Sequence, residues 1–288
     1  MKTILVGTDF SARSDHALKR ATLLAQKFAA SIVLVNVVDD DQPHRIVDIE
    51  RAEAERLLNQ TAAKLRDEAN VACETRVILA SPFVGLAKAV TDINPDLLVI
   101  GPHRRQVLRD VFTGTTAERT IRSVDCPVLM VNEATPSGDY KRVLQTTDLS
   151  NESRNALQRF RRLGLGENAR NMLIYVFDAP ALRLSMRHAI PDNNQQQYFE
   201  ASQEDAARDL AAFAASADIS DVRQITRHRT TTRTQEILKT AEQNQADLIL
   251  VSTPSRSGLE KLLVGSVTEQ ILGISPIDVL VLPPSPGD

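Results

Sequence analysis

Short apolar runs alternate with longer amphipathic stretches along this chain. In the first half, the apolar runs predict strands at residues 3–7, 31–38, 71–78, 96–101 and 127–132. The inner runs are rich in Val, Ile and Leu, and they are nearly continuous rather than alternating with polar residues. This pattern is typical of strands that are covered on both faces of a parallel sheet.

Helical periodicity fills the gaps between the predicted strands. Ala17, Ala21, Leu24 and Phe28 recur on one face of a first helix, and Ser11 is placed to cap its start. Further helices are predicted over residues 47–68, 83–93 and 115–124. Strands and helices that alternate at these lengths require right-handed crossovers, so the sequence predicts an α/β, doubly wound, Rossmann-like parallel sheet.

The pattern repeats in the second half of the chain. Residues 3–11, TILVGTDFS, match residues 142–150, RVLQTTDLS, and DLLVI at 96–100 matches DLILV at 247–251. Equivalent positions are 139 residues apart in the early blocks and 151 apart in the later ones. The surplus is assigned to the polar stretch 179–196. Matched blocks in the same order indicate a tandem duplication.

The duplication predicts two tandem domains, residues 1–137 and 138–288, each with a five-stranded parallel sheet. The segment Pro136-Ser137-Gly138 reads as the linker between them. A chain of 288 residues that is 42% hydrophobic gives each half enough apolar residues for its own core.

The charge balance argues against nucleic acid as a partner. Thirty-four Lys and Arg residues face 37 Asp and Glu residues, for a formal charge of −3, and bulk attraction to phosphate is therefore not expected. One basic stretch contains Arg223, Arg227, Arg229 and Arg233 with His228. It is either a nucleic-acid patch or a solvated strand end, and the net charge favours the second interpretation.

Several other classes of protein lose support from the sequence. No apolar run reaches the roughly 18 residues of a membrane-spanning helix, and the run at 4–7 is too short for a signal-peptide core, so a cytoplasmic location is expected. Cys73 and Cys126 form neither a disulfide framework nor a zinc-ligand spacing, and we expect them to be inert. P-loop and GxGxxG motifs are absent, as is the acid and lysine set of a receiver domain.

Candidate binding residues follow the predicted strands. In open parallel sheets, ligands bind at the carboxyl ends of the strands. Gly7-Thr8-Asp9 follows the first strand, and Gly101-Pro102-His103-Arg104 follows the fourth. Gly114-Thr115 opens a helix, where backbone N–H groups and the helix dipole attract phosphate. Taken alone, that pair is also the pattern of an ordinary glycine turn and N-cap.

The blocks resemble the universal stress protein family, and the layout resembles its tandem two-domain members, over essentially the whole chain. The marks are VGTDFS, LLVIGPH and TGTTAER in the first half, and TTDLS and LLVGSVTE in the second. The nucleotide-binding branch of that family carries G-x2-G-x9-G-[S/T] after the fourth strand, and this loop holds ATP phosphates and ribose.

Both halves depart from that loop pattern. The first half retains Gly101 and Gly114-Thr115 but has Arg104 at the middle glycine, whereas the second half retains only Gly265-Ser266. A side chain at a glycine position takes space that the ligand would use. Arg104 either occupies the phosphate site or points outward and adds a bidentate phosphate contact, and the sequence leaves both open.

The resemblance implies a site for ATP or AMP, with a nucleotide-bound Mg²⁺ near Asp9. In the first half the implied residues are Thr8, Asp9, Val37, Ile100, Gly101, His103, Arg104, Gly114, Thr115 and Thr116. A weaker second site is implied at Asp148, Val176, Gly265, Ser266 and Val267. For each aspartate the alternative is a turn carboxylate satisfied by nearby N–H groups.

The expected function is therefore a non-enzymatic stress regulator whose adenine-nucleotide occupancy sets its conformation or assembly; very slow ATP hydrolysis stays open. The alternative is a nucleotide-free scaffold that forms a homodimer, with the last strand, 278–283, as a pairing edge. A small-ligand carrier is also open. In that reading the insertion 179–196, with Arg183, Arg187 and His188, covers a site rather than forming only a surface loop.

Overall fold

The computed structural model describes residues 1–102, 116–132, 138–179, 192–219, 221–253 and 265–283. The strands are β1 (Thr3–Gly7), β2 (Ser31–Val38), β3 (Cys73–Leu79), β4 (Leu97–Ile100), β5 (Val128–Met130), β6 (Arg142–Thr147), β7 (Arg170–Phe177), β8 (Arg223–His228), β9 (Leu248–Ser252) and β10 (Asp278–Leu282). The helices are α1 (Ala12–Phe28), α2 (His44–Ala69), α3 (Pro82–Ile93), α4 (Thr116–Ser123), α5 (Asn151–Leu163), α6 (Asp192–Ser216), α7 (Arg233–Gln243) and α8 (Ser266–Ile274).

The ten strands of the described residues form one sheet in the order β3-β2-β1-β4-β5-β10-β9-β6-β7-β8. Neighbouring strands within each half are parallel. The second half has the same order of equivalent strands as the first, but this order runs in the opposite direction across the sheet. Helices α1 and α5 pack on one face of the sheet, whereas α3, α4, α7 and α8 pack on the other. The doubly wound α/β fold predicted from the sequence is confirmed.

The two halves are joined by an antiparallel pair of strands. Leu129 of β5 lies opposite Leu280 of β10, and both are fully buried. The expectation that strand 278–283 offers a pairing edge to a second copy is therefore corrected, because β10 is already flanked by β9 and β5. When these two apolar edge strands pair, each satisfies the backbone N–H and C=O groups that the other would leave without hydrogen bonds.

A buried polar cluster accompanies this seam between the halves. Asp278 is fully buried, and it accepts hydrogen bonds from the backbone N–H of Asn132 at 2.8 Å and from the hydroxyl of Tyr140 at 2.6 Å. Arg20 of α1 places its Nε 3.4 Å from the Asp278 carboxylate and its guanidinium 4.5 Å from the Tyr140 ring centre. Burial and the neighbouring Asp278 charge raise the pKa of Tyr140 well above its usual value. The cluster thus joins α1 and the segment after β5 in the first half to Tyr140 and β10 in the second half.

Helix starts and core positions follow the sequence pattern. Ser11 caps α1 by accepting a hydrogen bond from the Ser14 N–H, as predicted, and Ser150 caps α5 in the same way. The predicted core face of α1 is buried except for Phe28, which packs only partly against the core.

Both cysteines are buried thiols without reactive surroundings. Burial raises the pKa of Cys73 to about 11 and that of Cys126 to about 12. Because the thiolate is the reactive form, such pKa values keep these thiols unreactive at neutral pH. None of the helices among the described residues combines the length and apolar character that a membrane span requires.

Candidate functional site

A cavity of about 340 Å³ opens at the carboxyl ends of β1, β2 and β4, beside the N-termini of α1 and α4. Six residues implied by the resemblance line it together: Thr8, Asp9, Val37, Ile100, Gly101 and Thr116. The other four, His103, Arg104, Gly114 and Thr115, lie outside the described residues. The location is the switch point between β1 and β4, where open α/β sheets bind ligands.

One end of this first cavity is an apolar slot. Its walls include Val35, Val37, Leu86 and Ile100. Gly85 on α3 allows that helix to approach β2, because a Cβ there would lie 2.5 Å from Cγ1 of Val37. Leu86 was not among the predicted site residues, because in sequence it is an ordinary core residue of an amphipathic helix. Only the position of α3 over the strand ends places it in the cavity.

The other end of the first cavity is charged and hydroxyl-bearing. Oδ1 of Asp9 accepts hydrogen bonds from the N–H and hydroxyl of Ser11, at 3.1 and 2.5 Å, and Oδ2 lies 3.7 Å from Arg13. Burial alone would raise the pKa of Asp9, but the bonds from Ser11 and the Arg13 charge outweigh it and hold the pKa below its usual value. Asp9 is therefore ionised at neutral pH.

The backbone beside this aspartate is strained in both halves. Phe10 has φ of 58° and its counterpart Leu149 has φ of 66°, a left-handed conformation that bulky residues rarely adopt. Such strain persists only where surrounding contacts impose it, and it concentrates at ligand-binding turns. The same unusual turn presents Asp9 to the first cavity and Asp148 to its counterpart.

Gly101 is required by a close backbone approach. A Cβ at this position would lie 2.8 Å from the carbonyl oxygen of Arg13 and 3.2 Å from the backbone nitrogen of Ser14. Any other residue pushes the first turn of α1 away from the end of β4. Gly101 therefore sets the distance between Asp9, Arg13 and the strand end.

A second cavity, of about 640 Å³, occupies the equivalent place in the second half. All five residues implied there line it: Asp148, Val176, Gly265, Ser266 and Val267. The loss of the glycine equivalent to Gly101 does not close it. Ser252 stands there, and its hydroxyl lies 3.5 Å from that of Ser153 on α5.

Hydrogen bonds fix the Asp148 carboxylate, as they fix that of Asp9. Its Oδ1 accepts hydrogen bonds from the Ser150 N–H at 3.0 Å and from the Ser153 hydroxyl at 2.5 Å. Burial would raise the pKa of Asp148, but these hydrogen bonds outweigh it and lower the pKa. The turn-carboxylate alternative thus describes part of the role of both aspartates.

The second cavity differs from the first in charge at two lining positions. Glu152 and Arg233 stand where the first half has Arg13 and Pro82. Next to the cavity lining, Glu236 takes the position of Gly85. Arg233 pairs with Asp178 at 2.8 Å. Glu236 accepts hydrogen bonds from the hydroxyls of Thr230 at 2.6 Å and Thr231 at 3.0 Å, which lower its pKa.

The lowered pKa of Asp148 predicts a pH-dependent contribution to stability. A carboxyl whose pKa is lower in the folded state stabilises the protein above its unfolded pKa, near 3.8, and loses that contribution as pH falls through the folded value. Asp148→Asn should therefore be less stable than the wild type at pH 7, and the difference should shrink as pH falls below about 3.8 and vanish below the lower pKa of the folded state. Urea midpoints measured from pH 7 to pH 3 test this. An unchanged gap across that range would contradict it.

The basic stretch around β8 is engaged by neighbouring side chains. Arg223 donates to Asn244 at 3.1 Å, Arg227 donates to Gln243, and Arg229 joins Arg233 on Asp178. The insertion residues Arg183, Arg187 and His188 lie outside the described residues. Within the described part of the chain, no group of three or more His, Cys, Asp or Glu residues is arranged to hold a metal ion.

Comparison with known proteins agrees with this architecture. The profile of the universal stress protein family matches residues 1–132 and 139–283. A putative universal stress protein of Staphylococcus aureus strain USA300 is 28% identical over 167 residues, covering 54% of this chain and 98% of the relative.

Two solved structures cover nearly the whole chain. A universal stress protein from Archaeoglobus fulgidus has 17% identity and a TM-score of 0.72, with 99% of this chain and 97% of that one covered. A functionally unknown Pseudomonas aeruginosa PAO1 protein has 22% identity and a TM-score of 0.69, with coverage of 99% and 93%. These structures share the fold, and the two profile matches fall on the two halves of the sheet. The chain belongs to the universal stress protein family, as a tandem two-domain member.

Proposed function

We propose that this protein is a stress-response regulator that binds adenine nucleotide, ATP or AMP, mainly in the first cavity, and that occupancy sets its conformation or assembly. The observation that carries the proposal is the first cavity itself. It joins an apolar slot to an ionised, hydroxyl-rich rim at the switch point of the sheet. Its volume of about 340 Å³ falls within the range of small-molecule sites.

Each part of the cavity suits one part of a nucleotide. The slot between Val37, Leu86 and Ile100 accepts a flat adenine ring, and Oδ2 of Asp9 accepts a ribose hydroxyl or helps to hold a nucleotide-bound Mg²⁺. Helix α4 begins at Thr116 on the cavity wall, so its positive dipole end favours the phosphates.

The arrangement supports binding rather than turnover. Among the residues that the structure describes, the ionisable side chains of this cavity are Asp9 and Arg13. The Asp9 carboxylate is engaged by Ser11 and has a lowered pKa, which makes it a weak base for activating water. A regulatory role therefore fits the site better than an enzymatic one.

Titration calorimetry of the intact chain tests the proposal. ATP and AMP, each with and without Mg²⁺, should bind, and Asp9→Asn should weaken that binding by about tenfold, equivalent to one charge-assisted hydrogen bond. The internal repeat supplies a matched control: Asp148→Asn makes the same change in the second cavity and should leave the affinity within about twofold.

The proposal fails if folded wild-type protein gives no heat with either nucleotide and releases none on denaturation. Equal loss of affinity in Asp9→Asn and Asp148→Asn would contradict the assignment to the first cavity.

A further inference from the structure

The two cavities carry opposite charges at one equivalent position. In the first, Arg13 lies 3.7 Å from Asp9, so a cation and an anion share the rim. In the second, that position is Glu152, which forms no ion pair with any residue the structure describes. Asp148 and Glu152 thus present two carboxylates to one cavity. A phosphate placed among them would meet two like charges.

Arg233, the cation among the described residues that line the second cavity, does not neutralise the charge of these carboxylates. Arg233 projects from α7, on the opposite face of the sheet from the α5 helix that carries Glu152. Its guanidinium is directed to Asp178, at 2.8 Å, a carboxylate that it shares with Arg229.

Neutral hydrogen-bonding groups dominate the rest of the second cavity. Among the described residues, eight Ser or Thr side chains line it, against four in the first cavity. One of them, Thr253, is 4% exposed, and its hydroxyl oxygen has no hydrogen-bond partner among the described residues. The equivalent residue in the first half is Pro102, which has no such group. A buried hydroxyl without a partner is unfavourable, and a polar ligand atom relieves it.

The apolar slot is nevertheless retained. Ile174, Val176, Ile237 and Val251 take the positions of Val35, Val37, Leu86 and Ile100. A ligand for this cavity therefore needs an apolar ring for the slot and hydroxyl groups that donate to Asp148 and Glu152.

We propose that the second cavity binds a phosphate-free, nucleoside-like molecule, with a planar ring in the slot and a sugar-type diol on the two carboxylates, and that it rejects the phosphorylated form. Combined with the proposed nucleotide site of the first cavity, the two halves bind two forms of related ligands. The proposal goes beyond nucleotide binding in the first cavity and does not depend on it.

Photolabelling of the intact chain locates the ligand. With 8-azidoadenosine, labelled peptides should come from the second half, and adenosine should compete at least tenfold better than AMP. Glu152→Arg, which installs the first-half charge, should abolish this preference. Glu204→Arg makes the same charge change on an exposed surface of α6 and should leave it intact.

Thr253→Val separates a ligand contact from a structural role. Removing the unpartnered hydroxyl should raise the melting temperature of the unliganded protein, because a buried unsatisfied group is lost. The same variant should weaken adenosine binding by about fivefold, because the ligand loses a hydrogen bond. A variant that is less stable and binds adenosine normally would overturn the assigned role of this hydroxyl.

The outcomes distinguish the two proposals. Absence of labelling in the second half, equal competition by AMP, or an unchanged preference in Glu152→Arg each overturns this inference. Failure of ATP and AMP in the calorimetric titration, together with second-half labelling by the adenosine probe, removes only the nucleotide site of the first cavity.

Discussion

Asp278→Ala is expected to lower the free energy of unfolding by about 3–5 kcal/mol, because it removes a fully buried carboxylate that lies 3.4 Å from the buried Arg20 guanidinium. Asp278 is fully buried, and Arg20 is only 5% exposed. The substitution also removes the acceptor for the Tyr140 hydroxyl and for the Asn132 N–H. These losses fall where the two halves meet, so both halves should lose stability together.

Urea unfolding followed by circular dichroism measures this effect. Asp139→Ala is the matched control, because Asp139 pairs with Lys27 at 3.0 Å but its side chain is 54% exposed. An exposed pair contributes about 0–1 kcal/mol, so the control should remain close to the wild type. If Asp278→Ala were no less stable than Asp139→Ala, the buried cluster would not hold the seam.

The strands and helices were predictable because their signals are local. Continuous apolar runs marked the strands, and the structure changes their bounds by only one or two residues. The role of Asp96 is one that the local sequence pattern does not predict. The pattern placed it inside a strand, but its carboxylate accepts hydrogen bonds from the backbone N–H groups of Lys2 and Thr3, at 2.5 and 3.0 Å. Asp247 does the same for Lys141 and Arg142 at the start of β6.

The partner of the last strand was not predictable from its own residues. An apolar strand such as β10 pairs equally well with a second copy or with β5 of its own chain, because backbone hydrogen bonds carry no sequence information. The buried cluster around Asp278 favours pairing within the chain, because it joins residues from α1, the segment after β5 and β10. Their separation of well over a hundred residues hides this cluster from any local pattern.

The candidate site was predictable at positions where the internal repeat aligns residues of the two halves. All the implied residues that the structure describes line one cavity or the other. The loss of glycine in the second half suggested a degraded site, but the second cavity is larger than the first, at about 640 against 340 Å³. Whether a residue fills a cavity depends on the separation of helix and strand, which the sequence does not specify.

Gly101→Ser, which installs the second-half residue in the first half, is expected to weaken adenine-nucleotide binding by at least tenfold and to cost about 1–3 kcal/mol of stability. The new Cβ would lie 2.8 Å from the carbonyl oxygen of Arg13, and backbone cannot yield as a flexible side chain does. The first turn of α1 must therefore move, taking Asp9 and Arg13 out of the geometry that holds the ligand.

Ser252→Gly is the reciprocal control. The serine is already accommodated beside Ser153, so its removal should change stability by no more than about 1 kcal/mol and leave nucleotide affinity unchanged. Calorimetric titration with ATP and urea unfolding of both variants provide the comparison. If Gly101→Ser kept its nucleotide affinity, the close approach of α1 to β4 would not position the ligand-binding groups. The asymmetry between the halves would then rest on the other lining residues, above all on the opposite charges of Arg13 and Glu152.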